Sequence, residues 1–270
     1  MRKAAAHATL PGAAAHARLP GAPGFSLLEL ALVMLVLTLA LSALAVPLAA
    51  QVQLRRHEET RRLLDEAKEA LLGFAASHGR LPCPASESSR GQESFAPGGD
   101  AANGLCSHFQ GGYLPGATLA FSPLDAEGFV RDAWMQPRNR IRYAVYGRES
   151  TINGISQPLT RSDGLRAATL PALAAVPHYL FICSRSHASA DCGPATNQLT
   201  RRAAFVLLSA GANATATPSA GSDEARNLDG TGSFVSREFS SAPGDEFDDI
   251  VQWVAVHLVV NRMILAGRLP

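Results

Sequence analysis

The sequence predicts an α+β chain: a long N-terminal α-helix, transmembrane and then amphipathic, followed by a strand-rich, disulfide-containing globular head. Three observations carry this expectation. No charge occurs between Glu29 and Arg55, and residues 30–50 are almost wholly apolar. Over residues 51–79 apolar side chains recur at helical spacing on an otherwise charged segment. Beyond Gly79 the pattern changes to short apolar runs of strand length, separated by stretches rich in Gly, Ser, Pro and Asp that hold three of the four cysteines. A helix followed by a series of strands is the α+β layout.

Residues 1–24 carry Arg2, Lys3 and Arg18 and no acid, as expected of a segment retained on the cytoplasmic side of a membrane. A short repeat occurs there, AHATLPG at residues 6–12 and AHARLPG at 15–21, too brief for a repeat architecture. The apolar run that follows meets the ~20 residues a helix needs to cross a bilayer. Glu29 lies at its start, where a carboxylate near hydrocarbon costs on the order of 2–3 kcal/mol and calls for a partner.

The stretch G-F-S-L-L-E-L at residues 24–30, with the apolar run behind it, resembles the cleavage and methylation signal of type IV prepilins and type II secretion pseudopilins. The likeness covers residues 24–50; Pro23 beside the cleavage site departs from the family's pattern. It implies that a prepilin peptidase cuts between Gly24 and Phe25, removing residues 1–24 as a leader, and then methylates the Phe25 amine. It implies also that Glu29, fifth in the mature chain, pairs with the amino terminus of a neighbouring subunit, and that Pro47 kinks the helix. An α-amine with a pKa of ~7.7–8.0 is largely cationic at neutral pH. Beside a carboxylate in an apolar bundle, each charge offsets the other's desolvation. Two other readings of the run remain: an ordinary signal anchor whose Glu29 reaches the headgroups, and signal-peptidase cleavage after Ala43-Leu44-Ala45.

Over residues 51–79, Leu63, Leu64, Ala67, Ala70, Leu71, Phe74 and Ala75 form one apolar stripe. Glu58–Arg62, Arg61–Asp65 and Arg62–Glu66 are opposite-charge i,i+4 pairs for its wet side. Gly79 suits the position after a helix end and Pro82 follows, so the helix is expected to stop near His78.

The head, residues 80–270, opens with G-R-L-P-C-P at 79–84, which resembles the stalk-to-head junction of a subgroup of prepilin-like proteins. Residues 86–128 and 148–176 read as irregular, turn-rich connections. Asp132-Ala133-Trp134-Met135-Gln136-Pro137 loosely resembles the D-x-W-G-N-P element of major pseudopilins, with Met135 in place of the glycine. Trp134 reads as a core anchor. Strands are expected at 140–146, 178–184, 202–209, 234–239 and 250–256, a loop at 211–224, and a closing helix at 257–266. With about 190 residues the head is long enough to bury a core.

Cys83, Cys106, Cys183 and Cys192 form an even set in a chain expected to be exported, and read as disulfides. Three connectivities exist; Cys83–Cys106 and Cys183–Cys192 are favoured because each closes a local, turn-rich loop. Their spacing contains no C-x-x-C for zinc. The acidic residues Asp223, Asp229, Asp245, Glu246, Asp248 and Asp249 fall in two clusters. Major pseudopilins carry calcium in a C-terminal loop, and a loop with three carboxylates could supply oxygens for it. No EF-hand pattern appears and that site does not align here, so solvated acidic turns are the preferred account, with no metal site assigned. No catalytic pattern emerges: His57-Glu58-Glu59-Thr60-Arg61 lacks a second zinc-binding histidine, and neither G-x-S-x-G nor a phosphate-binding glycine loop occurs. His78, Cys83 and His108 lie near one another in sequence, but disulfide pairing consumes the thiol. A net charge of +1 offers no electrostatic case for nucleic acid.

These readings converge on a structural subunit, neither an enzyme nor a cofactor binder: a minor pilin or pseudopilin of a type IV pilus or type II secretion system. Its expected location is the inner membrane, single-pass, with the head in the periplasm and the assembled filament periplasmic or at the cell surface. Its expected partners are the prepilin peptidase and other pilin or pseudopilin subunits. The alternatives are a permanently anchored periplasmic protein and a secreted binding protein, neither of which polymerises.

Overall fold

Ser26 begins the regular structure. Its hydroxyl accepts the Glu29 amide at 3.1 Å, and its carbonyl accepts the Leu30 amide at 3.0 Å, so Ser26 caps helix α1 (Leu27–His78, 52 residues). Glu29 falls in the first turn, where a carboxylate faces the positive end of the helix dipole. The computed structural model describes residues 24, 26–136, 138–147 and 150–269, and all of their side chains except those of residues 42–49. The chain divides into two units, Met1–Gln51 and Val52–Pro270.

In the first unit the expected transmembrane helix is corrected. Among the described residues no helix is long and apolar enough to cross a membrane. From Gln51 onward the helix is polar and charged. The fold class based on a membrane-spanning segment, and the single-pass inner-membrane location that followed from it, therefore do not stand. The helical assignment continues through Pro47 without the local melting expected there, although the Pro47 side chain lies outside those described. Phe25 and residues 1–23, the expected leader and methylation site, also lie outside the described residues.

In the second unit α1 buries the stripe its spacing predicts. Thr60, Leu64, Ala67, Leu71 and Ala75 are all fully buried, and Leu72 and Phe74 nearly so. Each fully buried leucine contributes about 1.5–3 kcal/mol relative to exposure. Leu63 and Ala70 are only half-buried, at the stripe's margins. Of the expected i,i+4 pairs Arg62–Glu66 forms, at 3.7 Å, on the exposed side. Gly79, at φ +71°, closes the helix by donating its amide to Ala75 at 2.9 Å.

A six-stranded sheet receives that stripe. Its members are β1 (Gly112–Tyr113), β2 (Arg142–Val145), β5 (Leu180–Cys183), β6 (Gln198–Ser209), β7 (Ser233–Val235) and β8 (Ile250–Ala255). A separate small hairpin joins β3 (Thr151–Ile152) to β4 (Ile155–Ser156). Strand β6 is the hub. Antiparallel β2 and β8 flank its second half, whereas β5 pairs with its first half. Parallel pairing of β7 with β5 ends the sheet. Tyr143, Val145, Phe205, Leu207, Ile250 and Val254 share one buried cluster with the α1 stripe and with Val256, Val259 and Met263 of α5 (Val256–Leu265). A smaller cluster includes Ala144, Leu180, Ile182, Val206 and Phe234.

Strands occur at all five expected places, with differences in extent. β6 begins four residues before the expected start because Gln198–Arg202 is polar and alternating, a pattern that the apolar run 203–208 overshadows. β7 stops at Val235, not 239, and Phe239 is exposed. Three short helices were not foreseen: α2 (Gly164–Ala168), α3 (Leu170–Ala175) and α4 (Asp223–Leu228). Each is too short for a 3.6-residue period to show. Trp134 is buried as expected, and its indole N–H donates to Gln53 of α1 at 3.0 Å.

Candidate functional site

Two places bring functional side chains together. The first is the start of α1. Gly24 is exposed, with nothing near its Cα position that a side chain would meet. Glu29 is exposed, and so are the apolar residues around it, including Leu27 at 87% and Leu28 at 80%. Exposure continues along this segment to Leu41.

The second place lies where α4 meets the segment before β8. Ser222 caps α4 by accepting the Ala225 amide at 3.1 Å, which sets Glu224 in the first turn and directs it inward. One carboxylate oxygen each from Glu224, Asp248 and Asp249 lies within 4.8 Å of the others. Glu224 and Asp249 are buried at 6% and 7% exposure, and Asp248 is half-buried. Asn213 donates to both Glu224 oxygens at 3.0 Å, and the Asp248 amide donates to one of them at 3.0 Å. Asp248 Oδ2 accepts the Ala212 and Asn213 amides at 2.8 and 3.0 Å. Asn227 donates to Asp249 at 2.7 Å and also ties itself to both backbone groups of Val235. Asp248 Oδ1 is buried without a hydrogen-bond partner.

Among the described residues no Lys, Arg or His donates to these three carboxylates. Burial, with the Glu224 charge adding to it, therefore pushes the Asp248 carboxyl up to about 6. Burial also holds Asp249 well above the usual carboxylate range, and the charges of Glu224 and Asp248 add to this. Such a cluster can relieve its repulsion by holding protons, or by binding one hard divalent cation through carboxylate oxygens.

A second buried network adjoins the first through Gly211. Asp132 accepts from Ser209 Oγ at 2.6 Å, from Asn139 at 3.0 Å and from the Trp134 amide at 3.0 Å. Burial raises its pKa despite those bonds. Asn139 also donates to the Gly211 carbonyl at 2.6 Å. Gly211 sits at φ +63°, and a Cβ there would fall 2.5–2.6 Å from the Asp248 carbonyl and carboxylate. Only glycine fits between the two networks.

The acidic residues expected to be solvated turns separate into distinct environments. Asp223 and Asp245 bind Arg185 and Arg237 in a four-member ion-pair network. Asp229 pairs with Arg226 at 3.0 Å, and Glu246 is exposed. Asp248 and Asp249 instead turn inward and meet Glu224, which stands in α4 where the sequence predicts a loop. Its signal was present as Ser222-Asp223-Glu224, a cap followed by two first-turn acids. The disulfides are Cys83–Cys106 and Cys183–Cys192, each with a Cα separation of 5.3 Å, the two local pairings favoured from sequence. Cys83 is thereby removed as a nucleophile.

No family model, no curated protein and no solved structure matches this chain.

Proposed function

We propose that this chain is a prepilin-like structural subunit, a minor pilin or pseudopilin, that assembles into a type IV pilus or type II secretion pseudopilus after leader cleavage and N-methylation. The observation that carries this reading is the G-F-S-L-L-E-L motif placed at the start of a 52-residue helix whose apolar side chains, Leu27 to Leu41, are exposed. Each of those large side chains stands to gain about 1.5–3 kcal/mol on burial. Helices of other subunits provide such a surface. Glu29 then has two roles: it faces the α1 dipole within its own chain, and it accepts the methylated amine of a neighbour. A head of about 190 residues, large enough for an independent core, suits a low-copy position in the filament. The prepilin peptidase and other pilin or pseudopilin subunits are the partners this reading requires.

Mass spectrometry of the mature protein from its native host tests the proposal. An N-methylated Phe25 at the amino terminus supports it. A chain that retains Met1, or one that begins at Val46, overturns it. Glu29→Leu separates processing from assembly: the variant should still be cleaved, yet fail to co-purify with filament subunits.

A further inference from the structure

The two disulfides, far apart in sequence, flank one groove. Cys106 lines a hollow of about 350 Å³ with His108, Gln110, Gln157 and Gly230. An adjoining hollow of about 450 Å³ shares Gln110 and continues past Tyr146, Phe181 and Gly232 to Asp191, next to Cys192. Side chains of the loops and of β5 thus line the groove, and a disulfide adjoins each end. Such restraint lowers the ordering cost of binding.

The lining is aromatic and almost uncharged. The His178 ring stacks on Phe181 at 4.9 Å, and Tyr146 meets Tyr179 edge-on at 4.8 Å. Among the described residues Asp191 is the only Asp, Glu, Lys or Arg in either hollow. The side-chain amides of Gln110 and Gln157 and the Tyr146 hydroxyl make no hydrogen bond to another described residue, and Asp191 uses only Oδ1, toward Ser189 and the Gly193 amide. Both glutamines are half-buried. Unspent groups that both donate and accept, set between aromatic faces, match a ligand whose hydroxyls do the same and whose C–H faces are apolar. An anionic ligand would meet Asp191 with no described Lys or Arg in the lining to offset it.

We propose that this groove binds a neutral oligosaccharide chain, with rings against Tyr146 and Phe181 and hydroxyls on Gln110, Gln157 and Asp191. The inference concerns the head alone and stands independently of filament assembly.

Saturation-transfer NMR on the full chain in mild detergent, with cellohexaose, chitohexaose and maltohexaose as probes, tests it. At least one probe should bind, and Gln110→Ala and Tyr146→Phe should each weaken it about five-fold, the effect of one lost hydrogen bond. Because neither deleted group has a partner among the described residues, both variants should melt as the wild type does, which distinguishes lost contact from lost structure. No transfer from any probe up to about 10 mM, a range that would detect even millimolar affinity, overturns the proposal. So does binding indifferent to both substitutions, and so does preference for polygalacturonate over the neutral probes.

Discussion

Raising the pH from 4.5 to 7 should destabilise this head, and Asp248 should carry a measurable share of the loss. Its carboxyl titrates near 3.8 when unfolded and is pushed up to about 6 in the fold. A raised folded value means that the native state holds the proton more tightly. The resulting stability is complete below the unfolded value and is lost as pH rises through the folded one. A shift of about two units corresponds to about 3 kcal/mol at ~1.36 kcal/mol per unit. Solvent at the half-buried carboxylate screens part of this, leaving ~1–2 kcal/mol. Asp249 and Asp132, also raised by burial, act in the same direction. His57, lowered by burial and by Arg61, acts oppositely, because its stability is present above 6.5 and is lost as pH falls. Asp248→Asn isolates the one group. Asparagine keeps an acceptor for the Ala212 and Asn213 amides and removes the charge that opposes Glu224 and Asp249. Urea unfolding in the presence of a chelator should show an advantage of the variant over wild type that grows from pH 4.5 to pH 7 and reaches ~1–2 kcal/mol there. A variant no more stable than wild type at pH 7 would refute the reasoning.

The remaining predictions concern the frame around the site. Arg80, 5% exposed, forms a paired contact with Glu93 at 2.7 Å on both nitrogens, and Glu93 also accepts the Cys83 amide. Glu93→Leu should therefore cost about 3–5 kcal/mol by leaving Arg80 unpaired, and a double substitution of Arg80 and Glu93 to apolar residues should recover part of it in chemical denaturation. Met135 holds φ +55° and is 66% exposed, so Met135→Gly should stabilise by ~0.5–1 kcal/mol, the left-handed strain relieved less the entropy that glycine adds. Removing Cys83–Cys106, which spans 23 residues, should lower unfolding stability by about 3 kcal/mol. The shorter Cys183–Cys192 loop of 9 should cost slightly less; paired Cys→Ala variants under urea test the order.

Met135 also shows how sequence and structure inform each other. Met135 holds a left-handed backbone that glycine adopts far more readily, a conformation its side-chain type does not announce. The α1 stripe was legible for a simpler reason: Leu64, Ala67, Leu71 and Ala75 repeat at the helical period, and all four are fully buried. The disulfides were legible because each pairs cysteines in one turn-rich stretch. Strands of two residues such as β1, β3 and β4, and helices of five or six, carry too few residues for a period to register. The expectation of a transmembrane span followed from composition over residues 30–50, yet among the described residues no helix meets the length and apolarity that crossing needs.

By itself, then, the sequence determined what local order can determine. It set the helix stop at Gly79, the face that α1 buries, the places of the longer strands and the pairing of near cysteines. These depend on residues within a few turns of one another, whose spacing and backbone preference act before any distant contact forms. Tertiary structure decided the rest: that Asp248 and Asp249 turn inward to Glu224, that Asp132 is sealed beneath Ser209 and Asn139, and that Arg80 finds Glu93. An isolated carboxylate in a sequence reads as solvated because water is its cheapest partner. Only the closing of α4 and β8 over the same space removes that water and makes the charges answer to one another.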